Sequence, residues 1–253
     1  MKALALLAAM LTAAVSATAA EKDPSIYILS TITAKPGQVD AIHALLKDKL
    51  IPQAAKLGLP TLGVFVPVEN SGERILTLSS FASGAAAEKA VAAIKDDADL
   101  KALMGRLGEL TDESKKEPTR VMTVTDFSPA VAVAAGKGAR VFELRTYTTT
   151  TGNLPLLHAR FRDHTLGLFT KHGMTNLWYW QLLPDQNGAA DTLIYLLAHA
   201  SPEAAKASFD AFRADPDWIA AKDASEKAGG GSLTAPDGVK SLFLKATEYS
   251  PLK

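Results

Sequence analysis

The chain repeats itself, and that restricts its architecture more than any single motif does. Displaced by 115 positions, the stretch Ile26 to Val66 lies on Val141 to Gln181 without a gap. Identities include Leu29/Leu144, Thr31/Thr146, Thr33/Thr148, Gly37/Gly152, His43/His158, Asp48/Asp163, Lys56/Lys171, Gly58/Gly173 and Leu62/Leu177. Further on the displacement grows slightly: Ser83 to Leu100 lies on Ser201 to Trp218, and Thr125-Asp126-Phe127-Ser128-Pro129 lies on Thr247-Glu248-Tyr249-Ser250-Pro251. A self-match sustained from end to end means that one supersecondary unit is written twice.

Each copy carries the same signals in the same order. In copy one, Ser25 to Thr33 alternates and is rich in β-branched residues, which predicts a strand. Pro36-Gly37 breaks it, after which Val39, Ile42, Leu45, Leu46 and Leu50 recur at helical spacing. Gly58 stands where a helix stop belongs, with Pro60 just beyond. Strands follow near Thr61 to Val68 and Arg74 to Phe81, then a helix near Ala85 to Lys95, a short helical piece, and a last strand from Arg120 to Phe127. Copy two predicts strands near Arg140 to Thr148, Thr175 to Leu183, Asp191 to Ala200 and Val239 to Tyr249, with helices near Leu154 to Lys171 and Pro202 to Ala214. Asp215-Pro216-Asp217-Trp218 reads as one more helix start, with Asp215 as N-cap and Pro216 at the first helical position.

A βαββαβ order makes a four-stranded antiparallel sheet with its helices on one face. The first strand is apolar on both sides, Ile26, Ile28 and Ile32 against Tyr27 and Leu29, so the bare face also needs cover. The expected fold is therefore α+β, with two tandem ferredoxin-like units packed sheet to sheet: residues 21–129 and 140–253, joined by a small-residue linker at 130–139. An apolar fraction of 47% supports a core of that size.

Residues 1–20 read as an export signal. Lys2 precedes the apolar run Ala3 to Val15, which is shorter than the about 20 residues that span a bilayer, and Ala17-Thr18-Ala19 is a small-x-small cleavage pattern. We expect a periplasmic or secreted protein with no stable membrane insertion after cleavage. The 27 basic residues balance the 27 acidic ones, which argues against nucleic acid as a partner. There are no cysteines, so disulfides, thiolate metal sites and cysteine nucleophiles are excluded.

The copies differ most in their first strands. Glu143, Arg145 and Tyr147 share one side of the strand Val141 to Tyr147, where copy one has Ile28, Ser30 and Ile32. On a face expected between the two sheets, this set offers a pocket for a small polar or anionic ligand, or a structural ion pair between Glu143 and Arg145. Trp178 and Trp180 alternate with Leu177 and Tyr179, which suits an aromatic pocket or a sheet packed on both sides. On the long helix of copy two, His158 and His164 point about 120° apart and His158 and His172 lie about 21 Å apart along the axis; no metal site is expected. His172 or His199 alone has the chemistry to hold a heme iron, although the cationic end of a helix explains His172 as well.

The run Val141-Phe142-Glu143-Leu144-Arg145-Thr146-Tyr147, a long helix, then Lys171-His172-Gly173-Met174, an aromatic strand and Asp215-Pro216-x-Trp218 resemble the NIPSNAP family. The resemblance covers about Arg140 to Tyr249, and copy one extends it at lower fidelity. It implies a dimeric α/β barrel, here a pseudo-dimer within one chain, and brings no established enzyme activity. By resemblance Glu143, Arg145, Tyr147, His172, Gly173, Met174 and Trp218 occupy motif positions. Copy one lacks the Glu-x-Arg-x-Tyr set, which argues against a symmetric pair of sites. We expect a non-enzymatic small-ligand-binding or interaction protein that forms a homo-oligomer and needs no cofactor, with the ligand near Glu143, Arg145, Tyr147, His172, Trp178 and Trp180. The alternative is a cofactor-free or heme-dependent monooxygenase-like enzyme of the same barrel superfamily.

Overall fold

Both repeats fold by one plan, down to an irregularity at the same place. A computed structural model describes residues 25–69, 71–131 and 140–253; the expected export signal (1–20) and most of the linker (130–139) lie outside the described residues. Repeat one runs β1 (Ile26–Thr33), α1 (Val39–Leu45, continuing through Leu46–Leu50 and Ile51–Lys56), β2 (Thr61–Pro67), β3 (Arg74–Phe81), α2 (Gly84–Asp96), α3 (Ala98–Leu110) and β4 (Arg120–Val124). Repeat two runs β5 (Val141–Thr149), α4 (Leu154–Arg160, continuing through Phe161–Thr165 and Leu166–Lys171), β6 (Thr175–Leu182), β7 (Thr192–His199), α5 (Pro202–Ala214), α6 (Pro216–Ala228) and β8 (Thr234–Ala246). In both α1 and α4 the middle segment is a π turn, Leu46–Leu50 and Phe161–Thr165, so the two irregularities match residue for residue. Each long helix stops at a glycine with positive φ, Gly58 at 86° and Gly173 at 77°, a conformation that a β-carbon disfavours.

The second helical pieces are longer than the sequence signals suggest. Asp97 caps α3 by accepting from the Leu100 amide, and Asp215 caps α6 by accepting from the Asp217 amide. β8 also begins five residues before the expected start at Val239.

The eight strands close into one ring in the order β1-β3-β2-β8-β5-β7-β6-β4. Within each repeat the order is that of a ferredoxin-like sheet, and the two sheets join at both edges. At one seam β2 pairs with β8 (Phe65 opposite Ala246, Pro67 opposite Leu244). At the other β4 pairs with β6 (Met122 opposite Leu182, Val124 opposite Trp180).

Each seam is extended by the tail of the opposite repeat. The Thr125 amide donates to the Tyr179 carbonyl and Ser128 Oγ accepts from the Tyr179 amide. Reciprocally, the Thr247 amide donates to the Val64 carbonyl and Ser250 Oγ accepts from the Val64 amide. Phe127 then sits edge-on to His158, while Tyr249 sits edge-on to His43 and lies 2.7 Å from its Nδ1. The shared histidine and the shared tail motif are thus two halves of one exchanged clasp.

Eight strands leave an interior just wide enough for side chains to fill. Leu29, Leu76 and Met122 from repeat one meet Phe142, Trp180 and Ile194 from repeat two in a single buried cluster. The apolar inner faces of the two sheets cover each other, as their composition requires. Outside the ring, Ile26 and Ile28 pack under Ala87, Ala90 and Val91 of α2, and Tyr195 and Leu197 pack under Phe161 and Phe169 of α4 and Phe209 of α5.

Candidate functional site: a buried polar network and an open cleft

Phe142 and Leu144 point into the barrel, so alternation sends Glu143, Arg145 and Tyr147 to the other side of β5, beneath the helices of repeat two. This corrects the expected placement between the two sheets. Both sides of β5 are buried, so hydrophobicity left the choice open. Glu143 is 1% exposed. Its Oε1 accepts from Arg145 Nη1 at 2.5 Å and from Ser241 Oγ at 2.5 Å, and its Oε2 lies 3.0 Å from His199 Nε2. Arg145 Nη2 donates to the Tyr147 hydroxyl at 3.3 Å, and the guanidinium lies over the Phe209 ring, 4.6 Å from its centre. Burial pushes the Glu143 carboxyl up, but His199, Arg145 and Ser241 together outweigh it and hold the group below its ordinary value. Burial also drives the Tyr195 phenol well above its ordinary value. The Glu143–Arg145 ion pair anticipated from their spacing is present.

His172 belongs to a different cluster. Its Nε2 is 2.7 Å from Asp215 Oδ2, and Lys171 Nζ is 2.8 Å from the same oxygen. The end of α4 is therefore tied to the cap of α6, and Trp218 in the first turn of α6 packs on Phe212, with ring centres 4.4 Å apart. Lys171 first, then His172, hold the Asp215 carboxyl well below the usual carboxylate range. A depressed carboxylate contributes stability in full above its unfolded pKa, about 3.9 for Asp, and loses it as pH falls through the folded value. Asp215→Asn is therefore expected to melt below the wild type at pH 7, with the gap closing as the solution is acidified below about pH 4. Thermal melts across that range check it; a gap that stays constant with pH would assign the effect to the cap alone.

Trp178 and Trp180 lie on the opposite face of the sheet from Glu143. They stack on each other inside the barrel, 5.8 Å apart with planes inclined by 14°, and both contact Tyr27. Each is about as buried as a side chain can be, at 2% and 1% exposed. The six residues expected around one ligand thus fall into three separate places.

At one end of the barrel the interior opens into a cleft of about 260 Å³. Its floor is Leu29, Leu76, Leu144 and Leu242, and its walls carry Thr31, Arg74, Glu117, Arg120, Thr146 and Lys240. Arg74 Nη2 lies 2.6 Å from Glu117 Oε1, Thr31 Oγ1 donates to Glu117 Oε2 at 3.3 Å, and Arg120 Nη1 donates to Thr146 Oγ1 at 3.1 Å. Arg74 Nε is buried and has no hydrogen-bond partner among the described residues. Lys240 is exposed, and no carboxylate pairs with it among the described residues.

The sequence did carry a signal for this cleft. On each contributing strand a run of inward apolar residues ends in a polar one: Tyr27 and Leu29 in Thr31, Leu78 and Leu76 in Arg74, Met122 in Arg120, Leu144 in Thr146, Leu244 and Leu242 in Lys240. These pairings become one place only once the ring is closed.

Comparison with known proteins agrees with the architecture. The NIPSNAP family model matches residues 142–251. Among solved structures, a candidate monooxygenase from Fusobacterium nucleatum superposes with a TM-score of 0.59 at 10% identity, covering 92% of this chain and 94% of its own. A variant chlorite dismutase from Candidatus Nitrospira defluvii superposes with a TM-score of 0.53 at 9% identity, covering 90% and 94%. At such identities the likeness is one of fold: each is a barrel of this kind. No curated protein sequence matches the chain. Residues 142–251 belong to the NIPSNAP family, and the chain carries them as the second of two βαββαβ repeats closed into one eight-stranded barrel.

Proposed function

We propose that this protein binds a small anionic ligand without transforming it, and that the ligand sits in the cleft at the open end of the barrel. One observation carries this reading: Arg74, Arg120 and Lys240 converge on a leucine-floored cleft that holds, among the described residues, a single carboxylate, Glu117. Concave apolar sites with a few convergent polar groups are the usual form of a small-molecule site, and the excess of cations selects for negative charge. The Glu143 network supports the wall behind it, because Ser241 both lines the cleft and donates to Glu143.

The heme-dependent alternative needs an imidazole nitrogen aimed at open space. His172 Nε2 and His199 Nε2 are committed to Asp215 and Glu143, and His199 is 4% exposed between Phe209 and Phe243. His199 Nδ1 is buried as well, so that ring offers no nitrogen to open space, and His172 does not present Nε2 as an axial ligand.

Titration calorimetry with inorganic phosphate, acetate, hexanoate and hexylamine tests the binding reading. At least one anion is expected to bind saturably while hexylamine does not. Arg74→Met is expected to weaken the anion by about tenfold or more, in keeping with loss of a hydrogen bond to a charged group. Equal uptake of hexylamine and anions, or none of either, would end the proposal.

A further inference from the structure

Glu117 occupies the cleft in an unusual way. It lies in residues 116–119, which have no regular structure, between the turn Glu113–Lys115 and β4, and its side chain is 41% exposed. Its carboxylate touches Arg74 through one nitrogen, Nη2, and Thr31 through the other oxygen. Arg74 Nε, on the same guanidinium edge, is left buried without a partner among the described residues. A guanidinium can present two parallel N–H groups to one carboxylate, and Glu117 uses one of them. Buried polar atoms are paired in the great majority of cases, so the free Nε marks a seat that Glu117 fills incompletely.

We propose that Glu117 is a built-in stand-in for the ligand's head group, so that the ligand is a short amphipathic monocarboxylate which enters by displacing it. This rests on the cleft being the binding site, as argued above. An incoming carboxylate can engage Nε and Nη2 of Arg74 together and return Glu117 to solvent. Displacement is easy on the protein's side, since ion pairs this exposed are weak. Below the head group, Leu29, Leu76, Leu144 and Leu242 offer no donor or acceptor from their side chains, which favours a hydrocarbon tail. The volume of about 260 Å³ lies just under the roughly 300–1,000 Å³ of ordinary ligand pockets, so the tail is short. Lys240, exposed at the rim and unpaired among the described residues, adds to the attraction for a negative head.

Calorimetry on the full-length protein with hexanoate and acetate decides the matter, using Glu117→Gln, Glu117→Ala and Glu73→Gln. Glu73 pairs with Lys115 and does not line the cleft, so its neutralisation changes the net charge equally without vacating the seat. Hexanoate is expected to bind Glu117→Gln and Glu117→Ala about three- to fivefold more tightly than the wild type, a shift of the size of the exposed ion pair that no longer has to be broken. Glu73→Gln should change affinity by less than about twofold, as expected for a screened surface charge, and acetate should bind more weakly than hexanoate throughout. Equal tightening by Glu73→Gln, or hexanoate affinity unchanged by both Glu117 variants, overturns displacement while leaving the cleft as a binding site. Hexanoate and acetate binding alike overturns the apolar tail. Hexanoate binding to none of the four folded proteins overturns the carboxylate assignment, and if phosphate fails as well the cleft reading falls with it.

Discussion

Glu143→Leu is expected to melt about 6–20 °C below the wild type. Removing one partner of a buried pair typically costs about 3–5 kcal/mol, and each kcal/mol moves the midpoint by about 2–4 °C in a chain of this size. The figure applies here because both partners are shielded, the Glu143 side chain being 2% and that of Arg145 14% exposed. The substitution would leave the Arg145 guanidinium beneath Phe209 with only the Tyr147 hydroxyl, and would deprive both Ser241 and His199 of their acceptor. The cost should therefore belong to the orphaned charge rather than to the attraction itself. The double variant Glu143→Leu/Arg145→Met, which removes both charges, should recover most of the loss. Because Glu143 titrates below its ordinary value, its contribution is complete above about pH 4.3 and fades as pH falls through the folded value. The gap between wild type and single variant should then narrow in acid. A single variant that melts within a degree or two of the wild type would mean that water reaches Arg145 and that the network is not a buried one.

The same network shows how far the sequence could be read. The displacement of 115 positions implied two copies of one sheet-and-helix unit, and the matched π turns at Leu46–Leu50 and Phe161–Thr165 show how closely local structure follows local sequence. Alternation correctly grouped Glu143 with Arg145 and Tyr147. It could not say which way they face, because Phe142 and Leu144 on the other side are no less suited to burial than the helix-facing residues of neighbouring strands. Trp178 and Trp180 were joined to Glu143 in one expected site for want of that one bit of information. His43, His158 and the two tail motifs were visible as repeats, yet their exchange was not, since an edge strand's partner is chosen by tertiary packing. The cleft was harder still. Thr31, Arg74, Glu117, Arg120, Thr146 and Lys240 come from separate segments, and nothing short of ring closure brings them together.

Trp180→Ala is expected to cost about 3–5 kcal/mol, close to the loss for Glu143→Leu but for a different reason. Trp180 is 1% exposed and belongs to the seam at which the repeats join: it stands opposite Val124 of β4 and stacks on Trp178. Its ring also meets Tyr27 of repeat one, with centres 5.7 Å apart. Truncation removes apolar contact with both repeats at once and opens a cavity where backbone pairing limits collapse. Trp178→Ala removes the same stack and a contact with Tyr27, but from a position of β6 that lies beyond its pairing with β4, so it should loosen the seam less. Hydrogen exchange separates the two. In Trp180→Ala the amides of Val124 and Thr125 should lose protection before those of β5 and β7, whereas in Trp178→Ala they should not. Both variants should still bind anions if the cleft is the site, since neither indole lines it. Loss of anion binding in a folded Trp180→Ala protein would instead move the ligand into the aromatic interior and remove the basis for assigning it to Arg74.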